Sequence, residues 1–378
     1  MKIRQATLRD GKFSQVLLEP LTALAPHLLL VFGAPAFFAT EAGVGELGAR
    51  FPDAALIGCS TAGEVSMQGV QENTAVITAV RFEHTRILSG STPLASMADS
   101  LAAGQRLARA IAAPDLQAVL VFGQGVHING SALVEGMTEV LGTAVPITGG
   151  LAGDNGAFRQ TWTLGQQGVS DRAIVAIGLA GKELQVGHGS FGGWESFGPA
   201  RQVTRCEGNL LYELDGKPAL DIYKYYLGEY ARDLPSSGLL FPFAMLGDNL
   251  NAVGLIRTIL GIDEQQGSLT LAGEIRQNGY LKLMHASTDT LVDGAEAAAR
   301  AVAAMTPAPA LAILVSCVGR KLVMGDRVDE EVEAVAAVLG QKSVLTGFYS
   351  YGEISPLAPG VACQLHNQTM TITTLLET

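Results

Sequence analysis

The chain predicts an α/β fold of two domains, built on repeated strand–helix–strand units whose mixed sheets are covered by helices. Three observations predict it. The first is a short pattern that recurs as Gly58-Cys-Ser-Thr-Ala-Gly-Glu64, as Gly347-Phe-Tyr-Ser-Tyr-Gly-Glu353 and, more loosely, as Thr148-Gly-Gly-Leu-Ala-Gly-Asp154. The second is that each copy lies downstream of an Ala-Pro step, Ala25-Pro26, Ala113-Pro114 or Ala308-Pro309; Pro26 to Gly63, Pro114 to Gly153 and Pro309 to Gly352 are 37, 39 and 43 positions apart. Self-similarity at such a period marks a repeated supersecondary unit. The third is that the runs between these landmarks are apolar throughout rather than alternating, as in strands covered on both faces.

In each unit the Ala-Pro step precedes a buried-strand run: Leu28 to Phe32, Ala118 to Phe122, Leu311 to Val315. A loop and a helix follow, then a second apolar run (Ala55 to Ile57, Val145 to Ile147, Val344-Leu345), the Gly-acid corner, and a closing β run at 74–80, 173–179 or 369–375. Glycine tolerates positive φ at such corners, and most strand-end glycines mean only that. A carboxylate beside it is not required by a turn. Three such corners could converge on one side of a sheet, where ligands of α/β proteins bind.

With 378 residues, 48% hydrophobic and 16% charged, the chain has the composition of a compact globular protein rather than a disordered one. A net charge of −11 and the lack of any Lys/Arg cluster argue against a nucleic-acid surface. The opening Met-Lys-Ile-Arg-Gln has no signal-like apolar core, and the most apolar stretch, 21–39, is interrupted by Pro26, His27, Gly33 and Pro35. Neither a membrane span nor a secretory leader is expected. The four cysteines lie far apart, with no C-x-x-C, so a cytoplasmic protein with reduced thiols is expected.

Taken in order, residues 1–20 carry a short alternating segment and a turn at Asp10-Gly11. A helix is expected over 97–112, with Ser96 and Asp99 as a capping box and Pro114 as its stop. The loop 123–131 (Gly-Gln-Gly-Val-His-Ile-Asn-Gly-Ser) opens a helix over 132–141 capped by Asn129 or Ser131, a position at which anions bind well. The segment 187–199 is rich in glycines and aromatics and reads as irregular. Asp215-Gly216 is a turn signal, and the boundary is placed there: 1–215 as the N-terminal domain, 216–378 as the C-terminal one. A helix from Ala219, strands near 239–245, 253–259 and 279–285, a helix over 289–305 and the third unit, with its helix 329–339, complete the chain.

None of the common catalytic signatures is present: no G-x-S-x-G, P-loop, H-E-x-x-H or dinucleotide fingerprint. Cys59-Ser60-Thr61 could be read as a nucleophile set, but a cysteine at a buried strand end is more often a small core residue. The chain is therefore expected not to be an enzyme. His188, among glycines and aromatics, has the surroundings a flat ligand needs: one imidazole, apolar walls and close backbone approach. His127 ranks second, on a helix-opening loop, and His366, at the start of the last strand, reads as structural.

The three corner motifs, together with Phe197-Gly-Pro199, Glu213-Leu-Asp-Gly-Lys-Pro-Ala-Leu220 and Leu365-His-Asn-Gln-Thr-Met370, resemble the FIST sensory proteins of bacteria. The resemblance runs from about residue 25 to 376 and covers both the N- and C-terminal FIST domains. It implies a ligand sensor for signal transduction, with amino acids among the ligands proposed for the family. A stand-alone two-domain chain also looks like the nitric oxide sensing haemoproteins, which bind haem through a histidine and act on a partner histidine kinase of a two-component system. On that reading His188 is the metal ligand, Trp194, Phe191 and Phe197 wall the haem, and His127 is the reserve cofactor residue. The alternative is a small polar ligand held by Glu64, Asp154, Arg320, Glu353 and Tyr349, the carboxylates taking an ammonium and Arg320 a carboxylate. Arg320 and Glu353 are expected to pair or to face one ligand. Partners are then a histidine kinase or other signalling protein and a small-molecule or gas ligand; self-association is left open.

Overall fold

The computed structural model describes residues 1–9, 15–40, 42–358 and 360–378. The turn expected at Asp10-Gly11 lies outside the described residues.

The chain builds one unit three times. The first comprises β1 (Lys2–Arg9), α1 (Gln15–Leu24), β2 (Leu28–Gly33), α2 (Pro35–Ala39), α3 (Ala42–Arg50), β3 (Ala55–Ser60), a hairpin of β4 (Glu64–Ser66) and β5 (Gly69–Gln71), and β6 (Thr74–Arg81). The second repeats it as β7 (Arg86–Pro93), α4 (Ser100–Ile111), β8 (Leu116–Gly123), α5 (Gly130–Leu141), β9 (Ile147–Leu151), the hairpin β10 (Thr163–Gly165) and β11 (Gly168–Ser170), and β12 (Ala173–Ala180).

The third unit opens with β13 (Leu184–Phe191) and is then interrupted by a separate sheet. This insert holds β14 (Glu195–Ser196), β15 (Arg201–Glu207), β16 (Leu210–Leu214), β17 (Lys217–Pro218), α6 (Ala219–Leu227), β18 (Phe243–Leu246), β19 (Ala252–Arg257), β20 (Ile259–Asp263), β21 (Ser268–Leu271) and β22 (Tyr280–His285). The unit resumes with α7 (Thr288–Met305), β23 (Leu311–Cys317), α8 (Val318–Met324), α9 (Asp329–Leu339), β24 (Val344–Ser350), the hairpin β25 (Gly352–Pro356) and β26 (Cys363–His366), and β27 (Met370–Glu377). The boundary expected at 216 falls between β16 and β17, inside the inserted sheet.

The units exchange their hairpins in a ring. Strands β1-β6-β2-β3 are extended by β10-β11 of the second unit, β7-β12-β8-β9 by β25-β26 of the third, and β13-β27-β23-β24 by β4-β5 of the first. Within each unit the two central strands are parallel and their neighbours antiparallel, so all three sheets are mixed. Their inner faces share one core in which Phe32, Phe122 and Phe348, one ring from each unit, touch at centroid separations of 4.8–5.8 Å. Burying such rings is worth roughly 2–3 kcal/mol apiece. The helices cover the outer faces.

The first glycine of each repeated motif explains its own recurrence. Gly58, Gly149 and Gly347 lie opposite Val31, Val121 and Leu314 on the neighbouring parallel strand. A Cβ at these positions would stand 1.8, 2.0 and 1.8 Å from the facing carbonyl oxygen. Gly149 and Gly347 also have φ of 134° and 156°, which side-chain-bearing residues avoid.

Two local expectations are corrected. Ser96 makes no side-chain cap; Asp99 instead accepts the Ala95 N–H and pairs with Arg106, while a capping box forms at Ser287 and Thr290. The segment 187–191 is not irregular: it is part of β13, in register with β27 from Leu184↔Glu377 to Phe191↔Met370. Its glycines make room for α7. A Cβ on Gly187 would meet Thr306 Oγ1 at 2.7 Å, and one on Gly189 the Ala298 carbonyl at 2.8 Å.

Candidate functional site

The carboxylates of the Gly-acid corners are engaged by the protein's own donors. Glu64 is fully buried; Thr61 Oγ1 donates to one carboxylate oxygen, and the Thr74 N–H (3.1 Å) and Oγ1 (2.7 Å) to the other. Glu353 repeats the cage with Ser350 Oγ (2.7 Å) and the Thr369 N–H (3.1 Å) and Oγ1 (3.0 Å). Each carboxylate ties the first strand of an exchanged hairpin to the start of its unit's last strand. Burial raises the pKa of both, that of Glu353 to about 7, against the opposing pull of these donors. Asp154 is not their counterpart. Thr163 takes that place, pairing with Cys59 as Glu64 does with Phe348, and its hydroxyl donates to the Ala173 carbonyl at 3.1 Å. Asp154 instead closes its own loop, accepting from the backbone of Phe158, Arg159 and Gln160 and from the Tyr351 hydroxyl.

Arg320 does not pair with Glu353. It is fully buried on α8 and pairs with Glu331 in the first turn of α9, Nη2 at 2.7 Å and Nε at 3.1 Å, while donating also to the Gly192 and Leu291 carbonyls. Glu331 further accepts from Ser316 Oγ (2.9 Å) and the Tyr349 hydroxyl (2.5 Å). Burial and the Glu331 charge push Tyr349 up, so its hydroxyl stays a donor. With every group occupied, the cluster locks α8, α9 and the start of α7 together.

The residues expected around a haem do not converge. His188 is buried in β13; burial lowers its pKa, opposed by a hydrogen bond to the Pro356 carbonyl. Trp194 donates its indole N–H to the Gln368 carbonyl at 2.8 Å, Phe191 is 47% exposed, and Phe197 packs on Phe241 in the inserted sheet. A cavity of about 330 Å³ beside Phe191 and Trp194 is not lined by His188. His127 is exposed on the loop before α5, and His366 is buried against the Ser355 carbonyl at 2.8 Å with its pKa pulled down to about 4 by burial. Among the described residues the Nδ1 atoms of His188 and His366 have no hydrogen-bond partner, but both side chains are buried and the cavity beside Phe191 and Trp194 is lined by neither; these residues do not fit haem. Among the described residues no group of three or more His, Cys, Asp or Glu is arranged to hold a metal ion.

An open cleft, apolar over most of its surface but with a few polar groups, lies elsewhere. Strand β19 is the edge of the inserted sheet, and β26 is the edge of the sheet that receives it. A cleft of about 420 Å³ runs between them, with α5 as its third wall. Arg257, the last residue of β19, lines it although only 4% exposed. Its Nε donates to the Glu274 carbonyl (3.0 Å) and Nη1 to the carbonyls of Ile256 (3.1 Å) and Leu365 (3.4 Å). Nη2 has no hydrogen-bond partner among the described residues, and no carboxylate forms an ion pair with the guanidinium. Burial lowers its pKa to about 10, with Glu274 acting against the shift, so the group is a cation at neutral pH. Two further buried atoms without partners, Ser131 Oγ and Gln364 Oε1, belong to residues of the same cleft.

Glu135, Thr138 and Glu139 of α5 supply the rest of the polar wall, with Glu274 at the insert's side. Glu274 accepts from Asn129 Nδ2 (2.9 Å), and Asn129 caps α5 as expected by accepting the Ala132 N–H (3.0 Å). Sequence reasoning passed over Arg257. The available signal was a lone arginine inside the apolar run Val253 to Ile259, where an unpaired charge has no structural purpose of its own.

These features define a two-domain α/β protein with an open cleft where its inserted sheet meets the three-unit core. The model of the FIST N domain matches residues 27–217 and that of the FIST C domain residues 219–356, so the chain belongs to the FIST family, whose domains are signal-transduction sensor domains. The chain is also similar to the uncharacterized protein MJ1623 of Methanocaldococcus jannaschii, 36% identical over 100 residues, 25% of this chain and 19% of that protein. It thus spans about a fifth of that relative's length. Among solved structures, cyanuric acid hydrolase from A. caulinodans aligns over 99% of both chains at 10% identity and a TM-score of 0.38. That structure is an enzyme's, so the expectation that this chain is not one is withdrawn; a likeness this distant assigns it no reaction. Among the described residues no helix is long and apolar enough to cross a membrane.

Proposed function

We propose that this FIST chain senses a small polar ligand bearing a carboxylate, bound in the cleft between α5, β19 and β26, and relays occupancy to a histidine kinase or other signalling protein. The observation that carries the reading is Arg257: a buried guanidinium with a free Nη2 and no carboxylate at ion-pair distance among the described residues, the Glu274 charge acting on it from farther off. A buried cation normally has a paired anion, and a ligand carboxylate would supply it through charge-assisted hydrogen bonds. The cleft's three walls come from the second unit, the third unit's hairpin and the insert, so a bound ligand would hold the insert against the core. A ligand shifts an equilibrium only by its differential affinity for two states, and contacts made across a closing cleft provide that difference.

The test is a thermal-shift screen of small carboxylates and amino acids against the wild-type chain and Thr138→Trp, in which a bulky ring enters the cleft from an exposed helix face. Binding to the folded state raises Tm. A carboxylate that raises Tm in the wild type and not in the variant is expected; equal shifts in both would place the ligand elsewhere, and no shift with any compound would remove the reading.

A further inference from the structure

The charges around the cleft are unbalanced in a way that narrows the ligand. Its floor holds one cation, Arg257, whose free Nη2 can accept a single carboxylate. Its rim holds three carboxylates, Glu135, Glu139 and Glu274. Glu139 is engaged by a neutral amide, Gln105 Nε2 (2.6 Å), and keeps its charge available, while Glu274 accepts from Asn129 Nδ2 (2.9 Å) and also acts on Arg257. Glu135 and Glu139 stand at i and i+4 on α5, a like-charge spacing that costs an isolated helix a few tenths of a kcal/mol and is relieved by a cation placed between them.

A simple anion would have to pass this rim to reach Arg257, and a neutral zwitterion would leave most of the rim charge unanswered. We infer that the cleft takes an α-amino acid with a cationic side chain, of the lysine, ornithine or arginine class: its carboxylate on Arg257, its two cationic groups against Glu135, Glu139 and Glu274. The buried end supplies affinity and the exposed rim supplies selectivity, since exposed ion pairs contribute modestly each while complementarity of sign rejects the wrong partner. The inference rests on the carboxylate-sensing reading above and adds the sign and number of the ligand's other charges.

Isothermal titration of the wild-type chain with L-lysine, L-norleucine, glutarate and 1,5-diaminopentane separates the two. Lysine is expected to bind about fivefold or more tighter than norleucine, with glutarate and the diamine weaker still. In Glu135→Gln/Glu139→Gln, whose substitutions are on an exposed helix face, lysine should lose more affinity than norleucine, which has only the α-ammonium to lose contact, so the lysine preference should fall. Norleucine binding as tightly as lysine, or an unchanged preference in the double variant, would overturn the inference and leave the carboxylate site standing. A diamine as tight as lysine, or no binding by any of the four, would overturn both.

Discussion

Arg257 and Arg320 are both buried guanidinium groups, and they sit in opposite surroundings. Arg320 has a carboxylate at 2.7 Å, two backbone carbonyls and a neighbouring hydroxyl network that completes the carboxylate in turn. Arg257 has three backbone carbonyls, no carboxylate at ion-pair distance among the described residues, only the more remote charge of Glu274, and an open cleft beside it. Removing a charge from water costs several kcal/mol, and only well-placed opposite charge repays it. A fully answered arginine is a structural clamp; a half-answered one is a site that another molecule can complete. The difference teaches that burial of charge alone does not mark function, whereas an unfilled valence facing a cavity does.

The largest effect should come from breaking the closed side of the comparison. Arg320→Met leaves Glu331 buried without its cation, and the loss should be about 3–5 kcal/mol of unfolding free energy. Adding Glu331→Leu should recover part of it, because the second substitution removes the stranded charge. Chemical denaturation of the two variants checks both; a single variant as stable as the double would mean Glu331 has another counter-charge.

A buried carboxylate without a cation extends the comparison to pH. Glu353 has three donors but no ion pair, and its folded pKa of about 7 exceeds its ordinary 4.5. A raised carboxyl pKa favours the folded state when protonated. Its contribution is therefore complete below about pH 4.5 and is lost as pH rises through 7, by roughly 3 kcal/mol at 1.36 kcal/mol per unit. Glu353→Gln should remove that slope. His366 acts in the opposite direction: its folded value of about 4 lies below 6.5, so its contribution is complete above pH 6.5 and is lost on acidification. Comparing the variant with wild type, rather than reading one curve, isolates Glu353. Parallel stability curves from pH 4.5 to 7 would contradict the assignment.

The smallest stability effect should be at the open site. Arg257→Met forfeits only hydrogen bonds to carbonyls, and should cost about 1–2 kcal/mol without ligand. A loss equal to that of Arg320→Met would mean that Arg257 is as structural as its counterpart.

How much of this could be read from the chain follows the same physics. The strands Leu28–Gly33, Leu116–Gly123 and Leu311–Cys317 were legible because a strand buried on both faces must be apolar throughout. The exchange of hairpins between units was not, because β4, β10 and β25 are locally compatible with any neighbouring sheet edge. At the corner glycines a side chain is disfavoured too, Gly63 by its φ of 142° and Gly352 by Leu365 at 2.9 Å, but the tightest positions are the earlier glycines Gly58, Gly149 and Gly347, which face a carbonyl across the parallel pair. The strand around His188 was not legible because glycines in 187–193 signal a loop locally, and only the placement of α7 reveals that Gly187 and Gly189 are packing residues. Glu64, Asp154 and Glu353 stand out as something turns do not need, but donors such as Thr369 for Glu353 and Tyr351 for Asp154, 16 and 197 residues away, could not be seen. Arg257 was visible as a lone charge in an apolar strand, where a charge is costly unless paired or hydrogen-bonded.

The most direct test of the account is the affinity of one amino acid for two chains. L-Lysine is titrated calorimetrically into wild type and Arg257→Met, with near-ultraviolet circular dichroism confirming that both are folded. Truncating one member of a buried, hydrogen-bonded charge pair costs about 2 kcal/mol or more, so Arg257→Met should bind at least about 30-fold more weakly. Equal affinity in the two chains would show that Arg257 does not receive the ligand's carboxylate, and the central claim would fall with it.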